Sequence, residues 1–291
     1  MIASWEADAV RRTLRQAGLA GLRNPGAAHG TTVALLDGPI VAAHPALADA
    51  AVCAVGSAAG AEGADQGALT HATFLASILV GDDPRVLGVC TGARLVSIPV
   101  ADPALLRGRL TPRAVSQRLN RAIWAAVEAG ADVILCGLVL SPAVEHQIAA
   151  AVEAAARAGV WSVFPAGNSG GIRTSELFST PGVIPVAFTT HRATPHPLTT
   201  WGVGIARSGL LAPGTDLPGA LSPTGYGQRS GSSFAAALVA GSFALLRALT
   251  HHRVERVWGA LLDPYGDRME QLSLMPRLLD VRRSHNRLIR S

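Results

Sequence analysis

Lysine is missing from this 291-residue chain, and every strongly basic side chain is an arginine. With so much alanine and glycine beside it, this bias is a feature of coding composition and carries no functional message. Charge of either sign is scarce, at 15% against 49% hydrophobic residues, which excludes an intrinsically disordered chain and predicts a folded globule. No window holds the unbroken apolar run of roughly 18 residues that a membrane span needs, so no membrane association is expected. The N-terminus, Met1-Ile2-Ala3-Ser4-Trp5-Glu6-Ala7-Asp8, lacks both a basic region and an apolar stretch of the secretory kind. A cytoplasmic protein is the expectation. Cysteine is limited to Cys53, Cys90 and Cys136, an odd number without metal-ligand spacing, and these are predicted to be buried free thiols in a reducing compartment.

The formal net charge is +5, but the arginines are scattered until the stretch from Arg282 to Arg290. No aromatic or groove-reading motif accompanies them, so that stretch reads as a solvated basic tail and nucleic acid is not an expected partner.

What is present is an alternation of strand-like and helix-like segments, the pattern of a mostly parallel sheet with helices on both faces. An amphipathic run from Ser4 to about Ala20 predicts a helix, and Thr32 to Leu36 is a β-prone run stopped by Gly38-Pro39. Strands are expected at 95–100, 131–139, 160–164 and 183–188, all in one sheet, with helices at 112–129 and 142–158. The segment 232–249 is apolar nearly all round and rich in alanine, so it is expected to run through the core. The expected division is an N-terminal helical extension, 1–30, a catalytic domain, 31–262, and a C-terminal basic tail, 263–291, packed on or trailing from that domain.

Hydrolysis of an amide without a metal needs a nucleophile, a base, a group that orients the base, and donors for the oxyanion. The chain offers Ser233 at a helix start, His71 opening a helical segment, Asp37 at a strand end and Asn168 in a glycine-rich loop. Taken singly, Asp37 is more often a turn residue, His71 a helix cap and Asn168 a loop residue, and Ser233 is ordinarily an N-cap or N1 residue. Taken together, in the order Asp, His, Ser, they match the order of subtilisin and differ from those of chymotrypsin and the α/β-hydrolases.

Five blocks in this order resemble the subtilase family from about Thr32 to Leu249. Val33-Ala34-Leu35-Leu36-Asp37-Gly38 resembles its aspartate block, and Thr70-His71-Ala72-Thr73 its histidine block. Gly88 to Leu95 is similar to the loop and strand that follow, and Ala158 to Gly170 to the block of the oxyanion asparagine. Gly231-Ser232-Ser233-Phe234-Ala235 is similar to the family's Gly-Thr-Ser-Met-Ala. Asp37-Gly38-Pro39 also resembles proteases that mature cyanobactin peptides. The resemblance implies a three-layer α/β fold of the subtilisin type and a serine endopeptidase acting on a peptide or unfolded protein segment. It further implies that Gly137, Leu138, Val139, Ala166 and Gly167 contact substrate.

Departures from the family are Ala72 for glycine, Phe74 for the second histidine, and Val139 for a glycine lining the primary pocket. Ala46, in His44-Pro45-Ala46-Leu47, stands where relatives carry a calcium-ligating aspartate, so that site is expected to be absent and no cofactor is expected. His191, His196, His251 and His252 lack partners at zinc-ligand spacing, and Asp82-Asp83 reads as a solvated turn. The short stretch before Asp37 predicts a protease without a large propeptide, suited to trimming a ribosomally made precursor peptide. The same departures favour an alternative, a fold-retaining protein that binds peptides without cutting them. A dinucleotide-binding protein is not expected, because no G-x-G-x-x-G turn follows the first strand. A histidine base must be neutral to act, so activity should climb from acid toward alkaline pH.

Overall fold

The structure, a computed structural model, describes residues 4–55, 65–263 and 274–290. Residues 1–3 of the predicted helical extension and residues 264–273 of the predicted tail lie outside them. The chain opens with helix α1 (Ser4–Gln16), then strands β1 (Thr32–Asp37) and β2 (Val52–Ala54), helix α2 (Gln66–Val80) and strand β3 (Arg94–Pro99). After α3 (Pro103–Leu106) and α4 (Pro112–Glu128) come β4 (Val133–Cys136), α5 (Pro142–Arg157), β5 (Trp161–Pro165) and β6 (Val183–Thr189). The last third holds α6 (Val203–Ser208), β7 (Leu210–Pro213), the hairpin β8 (Leu217–Leu221) and β9 (Gly225–Arg229), and α7 (Ser232–Thr250). It ends with α8 (Val254–Leu262), β10 (Arg277–Leu278) and α9 (Val281–Ile289).

Eight strands form one parallel sheet in the order β10-β7-β6-β5-β4-β1-β3-β2. Side chains of a strand alternate between its faces, and here both faces are covered, so β1 carries no polar face. Val33 and Leu35 point into a core shared with Phe74 and Leu75 of α2 and Val239 and Phe243 of α7. Ala34 and Leu36 point the other way, into a core shared with Ile123 of α4 and Ile148 of α5. Two cores on opposite faces of one sheet give the expected three layers.

The apolarity of α7 follows from its place. It is long and apolar enough to cross a bilayer by length and composition, but 78% of that apolar window is buried inside the protein. Burial against β4, β5, β6 and β7 accounts for its composition.

Several local expectations need correction. The strand expected over 131–139 ends at Cys136, because the pairing of β4 with β5 stops at Leu135 and Val163. The stretch read as a solvated tail is α9, whose Val281 and Leu288 are buried in the main core while its arginines face out. A second, two-stranded antiparallel sheet exists, β8 with β9, where one sheet was expected. His71 lies in the second turn of α2 and does not open it; the helix starts five residues earlier, capped by Asp65, whose carboxylate accepts from the N–H groups of Gly67 and Ala68. Cys90 and Cys136 are buried, and burial pushes both thiols up to about 12, whereas Cys53 is only partly buried.

Asp83 is not a solvated turn residue. Its carboxylate accepts from Arg85 Nη2 at 2.6 Å and from the Tyr226 hydroxyl of β9 at 2.9 Å, and the Arg85 guanidinium lies 3.6 Å over the Tyr226 ring. The hydrogen bonds from Arg85 hold the Asp83 carboxyl down at about 2, and burial beside Asp83 pushes the Tyr226 phenol up to about 12. A depressed carboxyl stabilises the fold above the ordinary carboxylate range and loses that contribution as pH falls through its folded value. Asp83→Asn should therefore cost at most about 2 kcal/mol at neutral pH and flatten the loss of stability between about pH 4 and pH 2. Denaturant unfolding of both proteins across that range checks it; parallel acid limbs would contradict it.

Candidate active site

The chain order reverses around β1: β3 lies on one side of it and β4, the next strand in sequence, on the other. In parallel sheets such a switch opens a crevice at the carboxyl ends of the strands. Asp37 is the last residue of β1 and Gly137 the first after β4, so both stand at this crevice.

Asp37 is 1% exposed and its two carboxylate oxygens lie 3.0 and 3.1 Å from Nδ1 of His71. Oδ1 also accepts from the N–H of Gly38 at 2.7 Å, which fixes the carboxylate. An imidazole bonded through Nδ1 to a carboxylate carries its proton there and presents Nε2 as the free base. Two glycines make this approach possible. A Cβ on Gly137 would lie 2.0 Å from Asp37 Oδ2, inside the carboxylate itself. One on Gly38 would lie 2.5 Å from the carbonyl oxygen of Ala68, in α2 one turn before His71.

The other half of the site is the start of α7. Ser233 is its second residue, so its N–H has no carbonyl within the helix to bond, and it donates to none of the described residues. The Ser233 hydroxyl likewise makes no hydrogen bond to a described residue, His71 included. The His71 ring nevertheless sits 5.4 Å, centroid to centroid, from Phe234, the neighbour of Ser233. Phe74 of α2 packs edge-on against the same ring at 4.9 Å, so the residue replacing the family's second histidine joins the two helices by apolar contact.

Asn168 and the helix start hold each other. The N–H of Ser232 donates to Asn168 Oδ1 at 2.8 Å, and the Ser232 hydroxyl accepts from the N–H of Gly167 at 3.2 Å. With Oδ1 committed, the exposed Nδ2 of Asn168 bonds no described residue and is left as a donor. Gly167 adopts φ +124, a conformation open to glycine, and a Cβ there would meet Thr200 Oγ1 at 2.7 Å.

The five residues expected to contact substrate divide into two groups. Gly137, Leu138 and Val139 line a cavity of about 350 Å³ shared with Asp37, His71 and Leu106, and Val139 is 49% exposed there. Ala166 and Gly167 are buried, and their backbone groups are already engaged with Val186, Arg173, Ser232 and Thr200. The remaining histidines have other partners. His191 pairs with Asp216, His196 stacks on Phe188 at 4.5 Å, His252 bonds the carbonyl of Leu288, and His251 ends α7 in a left-handed conformation. Among the described residues no group of three or more His, Cys, Asp or Glu could hold a metal ion.

Sequence reading missed Ser232, Glu145 and Arg173. Ser232 was legible as a helix-start serine, but its bond to the asparagine loop joins positions 64 or more residues apart. Glu145 and Arg173 carry no local motif at all.

The Subtilase family model matches residues 28–260 of the chain. Among solved structures, the prenylagaramide maturation protease PagA is similar with TM-score 0.72 and 25% identity, over 95% of this chain and 98% of its own. A serine-to-alanine mutant of the protease domain of PatA is similar with TM-score 0.75 and 26% identity, over 92% and 98%. The PatG macrocyclase domain shares the fold at TM-score 0.78 and 21% identity, over 95% and 97%. No protein of curated function matches significantly. With a family match over most of its length, the chain belongs to the subtilase family.

Proposed function

We propose that the protein is a serine endopeptidase in which Ser233 attacks the scissile carbonyl, His71 takes and returns the proton, and Asp37 orients the imidazole. The observation that carries this reading is the double approach of the buried Asp37 carboxylate to His71 Nδ1, whose ring meets Phe234 at a helix start where the Ser233 hydroxyl and N–H bond no described residue. As Ser233 attacks, its proton passes to His71 Nε2, and Asp37 stabilises the resulting imidazolium. The carbonyl oxygen, now negative, accepts from the Ser233 N–H and from Asn168 Nδ2 at the positive end of α7. Collapse expels the leaving amine, which takes the proton from His71, and water repeats the sequence on the acyl-enzyme.

Asn168→Ala should lower kcat about 100- to 1,000-fold, a magnitude known from subtilisin itself, with little change in KM. Steady-state cleavage of a chromogenic peptide amide measures it; an equal rise in KM at constant kcat would remove Asn168 from the oxyanion role.

The reaction uses no metal in this reading. Ala46 is 1% exposed, packed with Val86 and Ala220, and its carbonyl accepts from the N–H of Asp82, so neither its side chain nor its surroundings suit a calcium ion.

The substrate is an extended peptide lying along residues 137–139, and its natural source is a ribosomally made precursor. The likeness to PagA and to the PatA protease domain, both at 25% identity or above, supports this. Mass spectrometry of products from candidate precursor peptides tests it: cleavage at one defined junction supports it, and degradation at many sites speaks against it. Val139, half exposed at the cavity, narrows the space there and favours small side chains before the cut bond. Val139→Gly should shift cleavage of a peptide library toward larger residues at that position, and an unchanged preference would remove Val139 from that role.

A noncatalytic peptide-binding protein remains the second reading, and one observation favours it: no hydrogen bond joins Ser233 to His71. Catalytic hydrogen bonds are often long without substrate and tighten in the complex, which favours the enzyme.

A further inference from the structure

One buried ion pair is not used by the mechanism above. Arg173 Nη2 donates to Glu145 Oε1 at 2.6 Å, and the two side chains are 17% and 3% exposed. The guanidinium also donates from Nη2 to the carbonyl of Leu140 at 2.6 Å and from Nη1 to the carbonyl of Ala166 at 3.1 Å. Ser175 holds the far oxygen of Glu145 at 2.9 Å, and the Arg173 N–H is itself bonded to the carbonyl of Trp201.

These acceptors belong to two segments, one following β4 and one following β5. Leu140 ends the segment 137–140 that follows β4, and Ala166 precedes Gly167 and Asn168 after β5. The strands diverge here, since their pairing stops at Leu135 and Val163, so no ladder hydrogen bond sets the distance between the two segments. Arg173 is the only described side chain that hydrogen-bonds both carbonyls. A planar fork anchored on a carboxylate is well suited to fixing two carbonyls at once.

Burial pushes the Glu145 carboxyl above its usual range in spite of the adjacent arginine, so desolvation outweighs attraction. A buried pair of this kind is weak evidence for a stabilising role, and its geometry is the feature to account for.

We propose that Arg173, anchored by Glu145, is a positioning residue that sets the separation between the substrate edge and the Asn168 loop, and through it the place of the oxyanion donor. This rests on the serine-protease reading above.

The test is a double-mutant cycle read by the rate of fluorophosphonate labelling, because the phosphoryl oxygen of the probe occupies the oxyanion position. Arg173→Met should slow labelling about 30-fold, within the roughly 100- to 1,000-fold carried by the donor itself. In an Asn168→Ala background the same change should slow labelling by less than about 3-fold, because the residue acts through a donor already removed. Multiplicative losses, or an undiminished rate in Arg173→Met, would overturn the proposal while leaving the protease reading intact. Failure of the unmodified protein to label would overturn both. If Arg173→Met does not fold, Glu145→Gln and Arg173→Lys enter the same cycle, since each keeps a polar side chain and loosens the fork. Amide exchange over 165–171 gives an independent readout: it should quicken in Arg173→Lys, and an unchanged rate would count against the strut.

Discussion

Ser233→Ala is expected to abolish fluorophosphonate labelling and to lower peptide hydrolysis about a million-fold, a magnitude known from subtilisin itself, while leaving the fold intact. The fold should survive because the serine side chain makes no hydrogen bond to a described residue, so nothing in the core loses a partner. What is lost is the nucleophile, and the remaining donors of Asn168 and the helix start supply only the residual rate that oxyanion stabilisation gives alone. Intact-mass spectrometry after probe treatment reads the result directly. An adduct persisting on the alanine variant would place the nucleophile elsewhere, and absence of an adduct on the unmodified protein would favour the peptide-binding reading.

Gly137→Ala is expected to lower kcat by up to about 10,000-fold, although the added methyl carries no chemistry. Its Cβ would lie 2.0 Å from Asp37 Oδ2 and 2.7 Å from Leu75 Cδ1. Asp37 is 1% exposed and held by Gly38, so it cannot retreat without breaking the bond that orients it. The carboxylate must swing away from His71 Nδ1, and loss of the orienting aspartate costs up to about 10,000-fold in kcat in a related triad. Overpacking by one methyl costs about 1–3 kcal/mol, so the variant should fold while its turnover collapses. Kinetics together with a melting curve separate the two effects. Turnover within about 10-fold of normal in a folded variant would show that the crevice has slack the geometry denies.

The contrast between these residues marks how far the sequence can be read. Asp37 and Ser233 announce themselves because one ends and the other begins a segment with its own pattern, and His71 and Asn168 because they stand in short blocks with their own local pattern. The β-prone run before Asp37 and the small-residue helix after Ser233 are both local signals. β1, β5, β6, α4, α5 and α7 were legible for the same reason, to within one residue at their ends. β2 and β10, of three and two residues, are too short to carry a period. α9 was misread because its arginines dominate the composition, while the few residues that bury it, Val281, Ser284 and Leu288, are spaced for one face only.

The sequence by itself determined which chemical groups this protein possesses, their order, and the layered sheet that carries them, since hydrophobic periodicity is a property of neighbouring residues. Only the tertiary structure decided how closely those groups meet. That Gly137 must be glycine to admit a carboxylate from another strand, that Ser232 clasps the asparagine loop, and that Arg173 spans two diverging strands are contacts between residues far apart in the chain. Such approaches depend on backbone separations of a few ångströms, and those are set by packing of the whole core, which no local pattern records.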